Sequence, residues 1–141
     1  MDSFVKFVRG KLHGIKVTDA NLNYMGSITL DPLHCKKVGI YPMEFVDIWN
    51  KNSGYRISTY VIYGEENSGC CILNGSAART CQVGDELIIA ASLYANPKFL
   101  INIKPKILIF DLNNKPSRML RYTVKENEDD HYDFYIQDLM N

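Results

Sequence analysis

The sequence has little that would point to metal binding, secretion or nucleic-acid contact. It has four cysteines, Cys35, Cys70, Cys71 and Cys81, and none of them forms a C-x-x-C pair. Adjacent Cys70 and Cys71 would alternate sides on a strand, so zinc ligation is poorly supported and reduced, buried thiols are expected. The histidines His13, His34 and His131 have no ligand-spaced partners, so no metal is expected. Net charge is also missing: sixteen basic and sixteen acidic residues cancel, leaving no global field to attract nucleic acid or an anionic membrane. Lys6, Arg9 and Lys11 are not followed by a long apolar run. That argues against a signal peptide or a membrane span, and a cytoplasmic protein is expected. No internal repeat or low-complexity linker interrupts the chain.

What is present suits one compact domain. At 141 residues with 46% apolar side chains, the chain can bury a core without disulfide or metal support. The pattern is mainly β. Phe4 to Val8 and Gly14 to Val17 alternate apolar and polar residues, and Ser27 to Leu30 reads as a short strand. Asp31-Pro32 predicts a helix start and Gly39 its stop. Phe45 to Trp49 and Tyr55 to Tyr63 read as strands joined through Asn52-Ser53-Gly54. Further strands are expected over Cys70 to Leu73, Leu87 to Leu93 and Ile107 to Phe110. Many short strands with Gly-bearing turns suggest a small closed barrel, although pattern alone does not separate a barrel from a sandwich. A first segment, 1–111, carries this pattern. The second, 112–141, is a polar extension with acidic residues Glu126, Glu128, Asp129, Asp130, Asp133 and Asp138. Its Tyr132, Phe134, Tyr135, Ile136, Leu139 and Met140 suit either an amphipathic terminal helix or a solvated, partly disordered tail.

The dipeptide Gly26-Ser27 is an ordinary turn signal by itself, and Gly75-Ser76 repeats it. Its context is more specific. Lys11-Leu12-His13 lies upstream, and Asp47-Ile48-Trp49-Asn50, Arg56-Ile57-Ser58-Thr59-Tyr60 and Asn74-Gly75-Ser76-Ala77-Ala78 follow in order. This set, from about Val8 to about Asp111, resembles the pyruvoyl-dependent aspartate 1-decarboxylase family. The resemblance implies a double-psi β-barrel, a homotetramer with sites shared between subunits, and conversion of L-aspartate to β-alanine and carbon dioxide for pantothenate synthesis. It also implies self-cleavage into 1–26 and 27–141, with Ser27 becoming a pyruvoyl group that forms a Schiff base with the substrate.

The same resemblance assigns roles to residues. Gly26 and Ser27 flank the cut, Thr59 stabilises the processing oxyanion and contacts substrate, and Tyr60 is the proton donor. Lys11 and Arg56 hold the substrate carboxylate, and Asn74, Gly75, Ser76 and Ala77 form the substrate loop. The chemistry is coherent. Decarboxylation leaves charge on the α-carbon that no ordinary side chain accepts, so an electron sink is needed. Serine supplies a nucleophile for the Gly26 carbonyl and then, once acylated, a leaving group. One geometric tension remains. On a regular strand Arg56 and Tyr60 share a face and stand about 13 Å apart, while Thr59 points oppositely. One site can use all three only if the strand bulges or subunits share sites.

Asn23 and Met25 stand where many family members carry His and Glu, and Arg79 where a histidine is common. The changes at Asn23 and Met25 lead to the expectation that cutting is slow or needs a maturation factor, and Arg79 adds a charge near the substrate loop. Three alternatives are kept: a pyruvoyl enzyme acting on another acidic amino acid, an unprocessed non-catalytic barrel serving as an interaction module, and a nucleic-acid-binding barrel, which the balanced charge disfavours.

Overall fold

The computed structural model describes residues 3–129 and 131–140. Asp130 of the acidic stretch lies outside the described residues, as do residues 1, 2 and 141. Among the described residues, ten strands and two short α-helices follow in chain order: β1 (Val5–Lys16), β2 (Asp19–Asn21), β3 (Ser27–Leu30), α1 (Pro32–Val38), β4 (Phe45–Asn50), β5 (Arg56–Tyr63), β6 (Cys71–Asn74), β7 (Glu86–Ala95), α2 (Leu100–Ile103), β8 (Lys106–Phe110), β9 (Pro116–Glu126) and β10 (Tyr132–Asp138). The two segments read as separate strands before Val17 are one long strand, β1. It absorbs the break in alternation through irregularities between Val8 and Gly10 and between His13 and Ile15.

The expected helix boundaries are observed, with a local cause for each. The Asp31 carboxylate accepts from the Leu33 N–H at 2.9 Å, Pro32 opens the helix, and Gly39 closes it at φ 78°. The second Asp31 oxygen accepts from the Gly69 N–H at 2.9 Å. Burial alone would raise this carboxyl, but the Gly69 and Leu33 donors outweigh it and hold the carboxyl below its ordinary value. Asp31 thus ties the end of β3 to the loop that enters β6.

The strands form one hydrogen-bonded ladder in the order β10-β9-β8-β1-β7-β4-β5-β3-β6-β2. Strands far apart in that ladder share a single core: Leu12 and Ile15 of β1 pack in one cluster with Ile48 of β4, Val61 of β5, Ile28 of β3 and Leu73 of β6. A ladder whose distant strands bury one common face is curled on itself, and the fold is mainly β and of the small-barrel kind.

The C-terminal region departs from both expectations stated for it. It is neither a helix nor a loose tail but a β-hairpin: β9 pairs antiparallel with β8, and β10 with β9. The ring of Tyr122 meets that of Phe134 edge-on at 5.2 Å, and the Arg118 guanidinium pairs with Asp138 at 3.1 Å. The apolar residues here suit a strand's two faces better than one helical stripe, and the open edge of β8 offers the hydrogen bonds.

Candidate active site

At Gly26-Ser27 the chain passes from solvent into the core. Residues 21–26 are exposed, and Ser27, the first residue of β3, is fully buried. The approach is shaped by an Asx turn in which the Asn21 side chain accepts from the Asn23 N–H at 3.1 Å. Beyond it, β3 is clasped between β5, which runs parallel, and β6, which runs antiparallel.

That pairing sets Ser27 opposite Asn74, the last residue of β6. The Asn74 amide donates to Ser27 Oγ at 2.9 Å and to Thr29 Oγ1 at 3.0 Å, which uses both of its hydrogens. Ser27 Oγ in turn donates to the Met25 carbonyl at 3.3 Å. The serine hydroxyl is therefore held in a fixed orientation inside the protein by neutral groups.

Gly75 follows Asn74 and turns the chain at φ 65° into the short 3-10 segment Gly75–Arg79. A Cβ at residue 75 would lie 2.7 Å from Gly26 Cα, 2.8 Å from Gly26 N and 2.9 Å from the Tyr24 carbonyl oxygen. At Gly26 itself a Cβ would meet nothing within 4 Å. The tight spot at this junction is thus on residue 75, not on Gly26. In the rest of the loop, Ser76 is exposed and Ala77 is buried.

Thr59 and Tyr60 lie on the neighbouring strand. The β3–β5 pairing aligns Ile28 with Val61 and Thr29 with Ile62. The pairing ends at Ile28 and Val61, so Tyr60 and Thr59 follow just beyond it, at the end of the β3–β5 pair where Ser27 lies. Thr59 is buried and Tyr60 half-buried, with its ring 5.9 Å from that of Phe45. The pairing of β5 with β4 and β3 shows no register shift, so the strand does not bulge.

Two of the expected residues, Arg56 and Lys11, stack on aromatic rings outside the Ser27–Asn74 pair. Arg56 sits at the far end of β5 and stacks over the Trp49 ring at 4.6 Å, about 13 Å along the strand from Tyr60. Trp49 is half-buried beneath this guanidinium. Lys11 lies on β1, four strands from β3 along the ladder. Its ammonium stands over the Tyr122 ring at 5.1 Å. Nearby, burial lowers the His13 imidazole from 6.5, and the positive charges of Lys51 and Lys11 add to the effect. Among the described residues, no group of three or more His, Cys, Asp or Glu side chains is placed to hold a metal ion.

Sequence reasoning missed two contributors, the Thr29 hydroxyl and the Met25 carbonyl. Thr29 was detectable, because a residue two places along a strand shares a face with Ser27. The Met25 carbonyl lies in an irregular turn that no periodicity describes.

Residues 3–117 match the sequence profile of the family described as aspartate decarboxylase. The chain is 62% identical over 135 residues to an aspartate 1-decarboxylase of Rhodospirillum centenum, covering 96% of this chain and 89% of the relative. It is also 62% identical to one of Paramagnetospirillum magneticum, covering 95% and 75%. A third relative, aspartate 1-decarboxylase 2 of Mesorhizobium japonicum, is 59% identical over 94% of this chain and 89% of its own length. With a profile match across most of its length and relatives this similar, the chain belongs to the aspartate decarboxylase family.

Proposed function

We propose that this protein is a self-processing aspartate 1-decarboxylase that converts L-aspartate to β-alanine and carbon dioxide, supplying β-alanine for pantothenate synthesis. The observation that carries the reading is the buried Ser27 hydroxyl, held by Asn74 next to the carbonyl of an exposed glycine.

Maturation begins when Ser27 Oγ attacks the Gly26 carbonyl carbon. The new C–O bond replaces the C–N bond, and the hydroxyl proton ends on the Ser27 nitrogen, leaving an ester. Negative charge on the Gly26 oxygen during attack needs a donor, and Thr59, just beyond the end of the β3–β5 pairing on that side, is suited to give one hydrogen bond. Loss of the Ser27 α-proton and cleavage of the Cβ–Oγ bond release a Gly26 carboxylate and leave dehydroalanine. Water then converts that residue to a pyruvoyl end and ammonia. The junction fits such a group, because Asn74 Nδ2 is a donor that suits a carbonyl oxygen as well as a hydroxyl.

The pyruvoyl group supplies the electron sink for decarboxylation. This chain's side chains supply the rest: Tyr60 returns a proton to the α-carbon, and the Asn74–Ala77 loop borders the substrate. The Arg56 fork and the Lys11 charge suit the side-chain carboxylate of aspartate. Lys11 turned to the Tyr122 ring, Arg56 stacked on Trp49 and β5 free of bulges support a site that one chain does not complete. A homotetramer with sites shared between subunits resolves this, and a maturation factor would compensate for Asn23 and Met25 at the cut. We place the protein in the cytoplasm; among the described residues no helix is long and apolar enough to cross a membrane. The functional domain is 1–111, with 112–141 as its extension.

The test is a denaturing intact-mass spectrum. Fragments 1–26 and 27–141 are expected, the larger lighter by one ammonia than a serine-ended piece. A single full-length mass that persists after warm incubation, with no turnover of aspartate, would instead describe a non-catalytic barrel. Turnover of glutamate in preference to aspartate would shift the substrate while keeping the chemistry.

A further inference from the structure

Self-cleavage needs the Gly26 carbonyl to stay within reach of a serine hydroxyl that is itself fixed. Asn74 fixes the hydroxyl, and the carbonyl has to be placed by another group. The segment that carries it, Tyr24 to Gly26, is exposed and outside regular structure. Gly75 lies against it, where an added Cβ would come within 2.9 Å of Gly26 and Tyr24 backbone atoms.

We propose that Gly75 is a positioning residue for the cut. It acts by having no side chain, so that the backbone of Tyr24–Gly26 can settle against it with the Gly26 carbonyl beside Ser27. The proposal rests on the self-processing reading above. Three observations support it. The atoms a Cβ at residue 75 would meet, Gly26 Cα, Gly26 N and Tyr24 O, all belong to backbone, so no rotamer change relieves the clash. Restoring an ordinary contact of 3.4 Å from 2.7 Å displaces the scissile segment by about 0.7 Å. Residue 75 also follows Asn74 directly, so one short stretch orients the nucleophile through a side chain and places the electrophile through a missing one.

The bonds made and broken are those of the acyl shift: Oγ to the Gly26 carbon forms, the Gly26 carbon to Ser27 nitrogen breaks, and the proton passes from Oγ to that nitrogen. A displacement of this size in the attacked carbon, with Oγ held still, takes the pair out of attack geometry.

Alanine at residue 75 also incurs strain from the positive φ, so a control must carry that strain alone. Gly69 and Gly54 provide it: their φ values are 66° and 80°, and a Cβ at either meets nothing within 4 Å. The experiment purifies wild type, Gly75→Ala, Gly69→Ala and Gly54→Ala, checks folding by circular dichroism and thermal melting, and follows cutting by intact mass. Hydroxylamine, which cleaves esters, reports whether the acyl shift has occurred.

The expected result is that all four fold, that Gly69→Ala and Gly54→Ala cut like wild type, and that Gly75→Ala cuts slower by about a hundredfold. Hydroxylamine should then find no ester in the uncut Gly75→Ala chain. Cutting of Gly75→Ala at the rate of the two controls overturns the proposal. So does ester accumulation in it, which would put the defect after the shift. If Gly75→Ala does not fold, Gly75→Ser refolded beside it serves the same comparison, and folding failure of both makes Gly75 a folding residue and refutes the role. If wild type itself remains uncut, the self-processing reading fails instead, so the two failures are distinguishable.

Discussion

Ser27 and Asn74 face each other across the β3–β6 pair, with the Asn74 amide 2.9 Å from the serine oxygen and both residues buried. An amide accounts for the order of this hydroxyl, and the same amide holds Thr29. Truncating it unbinds two hydroxyls at once. Asn74→Ala is expected to lower stability by about 1–3 kcal/mol and to slow cutting, whereas Ser27→Ala should fold and never cut. Chemical denaturation and intact mass check both, and wild-type cutting in Asn74→Ala would remove the orienting role.

Thr59 and Tyr60 are neighbours in sequence but differ in the step they are proposed to serve. Thr59→Ala should accumulate uncut chain, slower by about a hundredfold if its hydroxyl is the oxyanion donor. Tyr60→Phe should be cut normally and lose most aspartate turnover, by about 10²–10⁴-fold for a missing proton donor. Processing measured by mass and turnover measured by β-alanine formation separate the two. A Tyr60→Phe protein with unchanged turnover excludes that residue from the mechanism.

Sharing of sites between subunits has its own signature. Lys11→Ala chains and Tyr60→Phe chains should each be nearly inactive alone. Under the proposed sharing of sites, co-expression should give mixed oligomers in which some sites receive wild-type Lys11 from one chain and wild-type Tyr60 from the other. A return of activity well above the sum of the two is the expected outcome. No complementation in oligomers shown to be mixed would mean that Lys11 acts within its own chain or not at all.

Stability should fall on the acid side for an identifiable reason. Burial pushes the His34 imidazole below 6.5, with its Nδ1 buried and unpartnered and its ring edge-on to Phe110 at 4.9 Å. A depressed histidine favours the neutral form in the fold. Its contribution is therefore complete above 6.5 and lost as pH falls from there toward the folded value. His13 has the same sign. His34→Phe keeps a ring against Phe110 and removes the proton site, so its Tm should drop less than that of wild type between about pH 7 and about pH 5. Equal drops would assign the acid loss elsewhere.

Elements with local causes were readable from the residues alone. Asp31, Pro32 and Gly39 define α1 without help from the rest of the chain, and the Asn52-Ser53-Gly54 turn joins β4 to β5 as expected. The site was readable only through its resemblance to a family. The facts that assemble it are pairings between strands distant in sequence, such as Ser27 with Asn74, and no local pattern encodes them. Gly75 illustrates the gap. As a letter it is one of nine glycines, and its importance arises only where another segment of backbone comes within reach. The C-terminal hairpin was misread because strand β9 depends on the free edge of β8, a tertiary feature that outweighs local preference.

The position of strand β1 has a consequence for a cut chain. Residues 1–26 hold β1, which lies inside the ladder between β7 and β8 and lends Leu12 and Ile15 to the core. Once severed, the short piece remains an integral stave of the barrel. The two pieces should therefore elute together in native buffer and separate only in denaturant. The severed end is well placed electrically too. Gly26 is exposed while Ser27 is sealed, so a carboxylate released by the proposed cut would form in water, and the interior would gain no anion to neutralise.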